Sequence, residues 1–386
     1  MKALWQSIKY GYSSLCRRRL YLICMIFVPL LCCLFFLSLL QEGLPVRVPT
    51  AIVDLDHSSM SRAMTRNLDS QQYVDITESA ESYDAALGAV RAGRVFGFYV
   101  IPANFQRDAL SGRKPVINYY SNMTYFVPGT FSYKGYKTLA VQATASMVQE
   151  AASEKGISDR TIEALVKPMS IDINPVHNPW TNYSMYLTPS FSAGVLELMI
   201  ILVTIMTLTY EIKYGTSRQW LRNSHGSIIL AVTGKLLPQT VIFTITGWCM
   251  QGLLFGISQF PVLCPLWVLA LSMPFFVLAC QGFGLMMSCI FPNPRFALAT
   301  GTLVAILAFS LTGFSFPVQN MYGAVGIFSY IVPVRYYFLI HIQQVLNGTG
   351  LYYSRMYFVA LIIMTFLPAL MLWRFKHACI RQQYVP

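Results

Sequence analysis

LYLICMIFVPLLCCLFFLSLL, residues 20–40, holds no charged side chain. Coiled as an α-helix it is long enough to cross the hydrocarbon core of a bilayer. Lys2, Lys9, Arg17, Arg18 and Arg19 precede it, and Gln41-Glu42-Gly43-Leu44-Pro45 follows without an A-x-A cleavage site. The run is also longer than the apolar part of a signal peptide, so it reads as an uncleaved signal anchor. The basic flank places the N-terminus in the cytoplasm. Residues 1–19 carry Leu4, Ile8, Tyr12 and Leu15 at helical spacing, with Trp5 beside them. They read as an amphipathic helix lying on the membrane face.

The rest of the chain agrees with a membrane reading. Hydrophobic residues make up 55% of the 386 and charged residues only 11%. A soluble domain carries about a quarter charged residues. Apart from Glu197 and Glu211, every Asp and Glu falls between Glu42 and Asp172, so the formal net charge of +12 sits at the ends of apolar runs. That pattern is a topology signal, whereas a nucleic-acid binder would gather the charge on one folded face. The nine cysteines all lie outside 41–187 and form no C-x-x-C pair. The polar segment thus folds without disulfides, and a metal or redox site is not indicated.

Residues 41–187 are polar enough to form a domain. Strands are expected over 50–54, 95–101 and 116–120, with another over 169–173. Helices are expected from Asp56 and Ser58 to about Leu68, over 81–92 with Gly93 as stop, from Pro102 at N1 through Leu110, and over 130–154. Alternating strands and helices make it α/β or α+β. Apolar runs follow near 189–209, 227–257, 265–290, 297–317 and 356–373. Residues 318–354, with Gly323, Gly326, Pro333 and Arg335, fit a re-entrant or interfacial helix pair. The chain therefore reads as an α-helical membrane protein of about six transmembrane helices with an inserted extracytoplasmic α/β domain. Its parts are a cytoplasmic helix (1–19), a first span (20–40), the domain (41–187), a membrane domain (188–375) and a cytoplasmic tail (376–386). Lys213, Arg218, Arg222, Arg295, Arg374, Lys376 and Arg381 place both termini inside; Arg335 and Arg355 are exceptions.

A G-x-x-x-x-G-K-[ST] phosphate loop is missing from the sequence, as are H-E-x-x-H and G-x-S-x-G. The most informative segment is Tyr210-Glu-Ile-Lys-Tyr-Gly-Thr-Ser-Arg-Gln-Trp-Leu221, followed by Gly234-Lys235. It is short, charged and aromatic between two spans. Gly215 and Thr216 would bend the chain, Glu211 would pair with Lys213, Arg218 or a basic partner group, and Trp220 would anchor in a partner's groove. An ordinary polar connector is the plainer alternative.

Glu211, Gly215-Thr216, Trp220-Leu221 and Gly234-Lys235 resemble the pattern of ABC type-2 permeases. So do Gly313-Phe-Ser-Phe-Pro317, Met321 and Pro333-Val-Arg-Tyr336, with Tyr322 where the family usually has proline. Ala51-Ile-Val-Asp54, Asp56, Ser58, Ser61-Arg62, Gly97 and Ile101-Pro102-Ala-Asn-Phe105 are similar to the external domain of the subfamily that exports drugs and other hydrophobic compounds. The resemblance implies an export permease of a bacterial inner membrane, paired with a second copy or a paralogue. Separate ABC ATPase subunits would hold ATP and Mg, so the chain itself is no enzyme and binds no cofactor. It implies ATPase coupling through Glu211, Lys213, Tyr214, Gly215, Thr216, Trp220 and Leu221. A periplasmic adaptor and an outer-membrane channel are the further partners implied.

Glu197 is the one acid expected within a span, and an intramembrane carboxylate is costly. With Phe316, Pro317 and Arg335 it is a candidate for the translocation path, although helix packing explains the aromatic residues equally well. Two other classes compete. An ion-gradient-driven transporter would need several intramembrane acids and inverted repeats. A membrane-anchored ligand sensor would need a cytoplasmic signalling domain, for which the inner segments are short.

Overall fold

The computed structural model describes residues 2–41, 43, 46–111, 113, 115–124, 130, 133, 182–314 and 316–382. It contains two compact units, Leu44–Asn174 and the pair of segments Met1–Gly43 and Pro175–Pro386.

The chain opens with α1 (Lys2–Cys16) and, after a break at Arg17-Arg18, the first span α2 (Arg19–Leu39). The side of α1 packed against the protein is distinct from its apolar stripe. Leu15 is buried, but Leu4 and Tyr12 are 37% and 58% exposed. The buried stripe is Ser7, Gly11 and Leu15, one residue per turn. Small side chains on that stripe let α1 approach its neighbour closely, and this outweighs the apolar area of the larger ones.

The inserted unit runs β1 (Val48–Asp54), α3 (Ser59–Asp69), β2 (Val74–Ser79), α4 (Tyr83–Arg91), β3 (Gly97–Ile101), α5 (Phe105–Leu110), β4 (Asn118–Ser121). Its sheet has the order β2-β1-β3-β4, parallel except for β4. Strand alternation sends Ile52 to one face, against Leu68 and Phe105, and Ala51 and Val53 to the other, against Ala86 and Ala89. Helices therefore cover both faces of the central strand, whose Ala51-Ile52-Val53 run is wholly apolar. Ser58 caps α3, accepting from the Ser61 amide at 3.0 Å. Asp56 instead accepts from the Gln106 amide of α5 at 3.0 Å. Pro102 does not open a helix: α5 starts at Phe105, behind Asn104 at φ 64°. The helix expected over 130–154, but for Thr130 and Tyr133, and the strand expected over 169–173 lie outside the described residues.

The remaining elements are α6 (Tyr183–Lys213), α7 (Ser217–Asn223), α8 (Ile228–Ile257), α9 (Leu266–Ile290), α10 (Pro294–Leu311), α11 (Gly323–Ile331), α12 (Pro333–Leu346) and α13 (Leu351–Arg381). Among the described residues six helices are long and apolar enough to cross a membrane: α2, α6, α8, α9, α10 and α13. The span α6 is central, burying Leu196, Ile200, Ile201 and Ile205 against α2, α9 and α10. It begins at Tyr183, ahead of its apolar run, because Asn182 accepts from the Ser184 amide at 2.8 Å. The bent pair α11 and α12 meets at 83° in the segment read as re-entrant. Pro333 sits at the break, where it cannot continue the preceding helix and is suited to start the next.

Candidate functional site

The last turn of α6 carries Glu211, and the chain then reverses into the short helix α7. Gly215 makes that reversal at φ +69°, a backbone region costly for any side chain. Its amide donates to the Ile212 carbonyl at 3.2 Å, and the Thr216 amide donates to the Glu211 carbonyl at 3.0 Å.

Glu211 forms a buried ion pair with Lys235 of α8; the two side chains are 7% and 2% exposed. Tyr10 of α1 donates its hydroxyl to the same carboxylate at 3.2 Å, and the Thr216 hydroxyl donates to Oε2. The Lys235 ammonium also lies 5.0 Å from the centre of the Trp220 ring. A buried pair survives only when such extra bonds offset the loss of water. Burial, the Glu211 charge and the hydrogen bond to it push the Tyr10 hydroxyl up to about 12.

The first three partners hold α1, α6, α7 and α8 together, and backbone contacts tighten the block. Ser7 donates to the Leu230 carbonyl at 3.0 Å. Gly11 crosses over Gly234 and Lys235, where an added Cβ would come 2.9 Å from the Lys235 Cα. The end of α13 closes the block from below α7. Ser217 donates to the Cys379 carbonyl at 2.7 Å, Arg218 Nε to the Ile380 carbonyl at 2.8 Å, and Gln382 Nε2 to the Gly215 carbonyl at 2.8 Å. The Trp220 ring stands edge-on to Phe375, centroids 6.5 Å apart.

Two expectations about this segment change. Glu211 pairs with Lys235, while the Lys213 ammonium lies 5.4 Å from the Tyr210 ring and Arg218 is tied to α13. Trp220 is fully buried within the chain, so its own helix neighbours occupy it and no groove of another protein does. Leu221 is buried with it, and Lys213 and Tyr214 are exposed. The outward face of α7 consists of Arg218, Gln219 and Arg222. With His225 and Lys376 the two arginines line a groove of about 460 Å³ whose base includes Leu221 and Ile380.

The candidate path residues do not form one cluster. Glu197 is fully buried and accepts from the Val334 amide at 3.4 Å, at the first turn of α12. Arg335, one residue on, donates to the Thr312 carbonyl at 3.1 Å and lies 4.8 Å from the Tyr330 ring. Phe316 and Pro317 are exposed. The sequence reading missed Tyr10, Ser7, Gly11 and the Cys379–Gln382 end of α13; of these only Ser7 and Gly11, small residues four apart, carry a sequence signal.

The family model for ABC-2 family transporter proteins matches residues 19–374. Two curated proteins of Escherichia coli, from strains K12 and O157:H7, are each described as "Probable multidrug ABC transporter permease YbhR". Each is 23% identical over 205 residues, 53% of this chain and 55% of its own length. The chain spans about half the length of these curated relatives. With the family match running over nearly all of the chain, from the first span to the last, it belongs to the ABC-2 transporter family.

Proposed function

We propose that the chain is the permease of an ATP-driven exporter of hydrophobic or amphipathic compounds, with ATP and Mg held by a separate ABC ATPase subunit. One observation carries this reading. A short helix between two spans is locked by its inner face to α1, α6, α8 and α13, while its outer face offers Arg218, Gln219 and Arg222. A push on that face moves four membrane-attached elements at once, which is what mechanical coupling to a soluble motor requires. Lys213, Tyr214, Gly215 and Thr216 shape the approach to it; Trp220 and Leu221 transmit from within. The basic flanks put α7 and both termini on the cytoplasmic side of an inner membrane and residues 41–187 outside. The relatives' printed description as multidrug permeases agrees with this substrate class. Two copies, or one copy with a paralogue, form the pathway, with Glu197 and Arg335 fixing the bend that closes it. A periplasmic adaptor and an outer-membrane channel complete the route in a two-membrane cell.

The test is co-expression with an ABC ATPase subunit encoded beside it, followed by co-purification and measurement of ATP turnover and whole-cell efflux. Turnover is expected only when both chains are present. Hydrolysis by this chain alone, or efflux that follows an ion gradient without the ATPase, contradicts the reading.

A further inference from the structure

Beside the buried charge pair, a cavity of about 290 Å³ lies between α1 and the ends of α2 and α6. Ser13, Ser14, Arg17, Arg18 and Tyr210 line it, and Glu211 with Lys235 forms one wall. It carries an excess of positive charge. Glu211 is already matched by Lys235 and accepts from Tyr10 and Thr216. Arg17 and Arg18 make no ion pair among the described residues. The guanidinium of Arg18 lies 5.9, 5.4 and 4.8 Å from the ring centres of Tyr21, Tyr210 and Tyr214. Those rings orient the cation without neutralising it.

Among the described residues of this unit the acids are Glu197 and Glu211, and Glu197 stands roughly four turns along α6 from Glu211. Among the described residues no free carboxylate stands beside the two arginines, which leaves them open to an external anion. The location says which one. Arg17 and Arg18 directly precede the apolar run of α2, among tyrosines that favour a bilayer interface, and α1 leaves Trp5 and Tyr12 exposed. At that depth the abundant anion is a lipid phosphate, and a guanidinium fork suits its oxygens.

We propose that this cavity binds the phosphate of an anionic lipid headgroup, with Arg17 and Arg18 as the charged contacts and Ser13 and Ser14 as hydroxyl donors. The bound headgroup then fastens α1 to α6 next to the coupling block. The site depends only on the chain's lying in a membrane, so it stands or falls separately from the export reading.

The full chain is equilibrated in nanodiscs of phosphatidylcholine with phosphatidylglycerol, exchanged into mild detergent, and its retained lipid counted by native mass spectrometry. The parent should retain phosphatidylglycerol over phosphatidylcholine. R17Q/R18Q should retain it about tenfold less while still unfolding in one cooperative transition. R17K/R18K should keep most of it, and R355Q all of it. R17Q alone, at an exposed position, serves if the double variant does not fold, and should lose a smaller but measurable share. Equal retention by parent and R17Q/R18Q, or by parent and R17Q where that variant stands in, overturns the proposal. So does lipid retention unchanged alongside lost binding of an ABC ATPase subunit, which would give the arginines to that partner. Inorganic phosphate is titrated in parallel. Failure of millimolar phosphate to displace the lipid supports the headgroup, and full displacement with no lipid preference assigns the site to the free ion instead.

Discussion

Glu211 and Lys235 face each other in a setting where either alone would be an uncompensated charge. Glu211→Gln or Lys235→Met alone is expected to cost about 3–5 kcal/mol, while the double variant recovers most of the loss, since a buried pair replaced by neutral groups is often tolerated. Thermal unfolding of the four proteins in detergent checks this; additive losses would show that the two groups act separately. Tyr10 gives a pH test. Its hydroxyl is pushed up to about 12 from an ordinary 10.0 by burial and by Glu211. The folded state thus favours the protonated form, so its contribution is whole below pH 10 and fades as pH climbs toward 12. Y10F should be less stable at neutral pH and should lack that part of the parent's alkaline decline; parallel stability curves across pH 9–12 would contradict it. At this scale the sequence was informative about residue types and poor about partners. Glu211, Gly215 and Trp220 stood out in a short segment between spans. The pairing with Lys235 did not, because the two stand 24 residues apart on successive spans, with α7 between them. Trp220 was assigned to a partner because a polar segment reads as surface. Yet Ser217, Trp220 and Leu221 recur at helical spacing, and all three are buried.

Close packing between elements is what turns this residue cluster into a rigid block. Gly11→Val and Gly234→Val each force a side chain into backbone or Ser7 atoms, 2.9 Å away at Lys235 Cα and 2.8 Å at the Ser7 carbonyl carbon. Overpacking of that kind costs about 1–3 kcal/mol and should separate α1 from α8. Faster amide exchange in residues 2–16, with the inserted unit unaffected, is the expected signature; exchange equal to the parent's would mean that α1 does not depend on this seam. The spans were legible because an apolar run of sufficient length has few other uses. Strand β2 was not, since only Val74 and Ile76 of its six residues are apolar, too brief an alternation to stand out at a half-exposed sheet edge. The protein-facing side of α1 was not legible, because a stripe of Ser7, Gly11 and Leu15 carries little hydrophobic signal. The crossing with α8 rewards the smallest residues.

The whole molecule divides into a helical membrane unit and an inserted α/β unit, a division the distribution of acids and cysteines already announced. The inserted unit has no cysteine, so S111C introduces a single thiol there. Labelling of S111C by an impermeant reagent in intact cells is expected, and protection until lysis would reverse the topology. The central claim concerns the exposed face of the block. Among the described residues the side chains of Arg222 and Lys376 make no hydrogen bond or ion pair, and they line the groove beside α7. Reversing both charges therefore changes what the block presents and leaves its interior intact. The decisive measurement is the affinity of R222E/K376E for an ABC ATPase subunit in detergent, with melting temperature recorded in parallel. The account predicts parental stability and at least about tenfold weaker binding, as expected when charge complementarity is inverted. Parental binding by a folded R222E/K376E would contradict it.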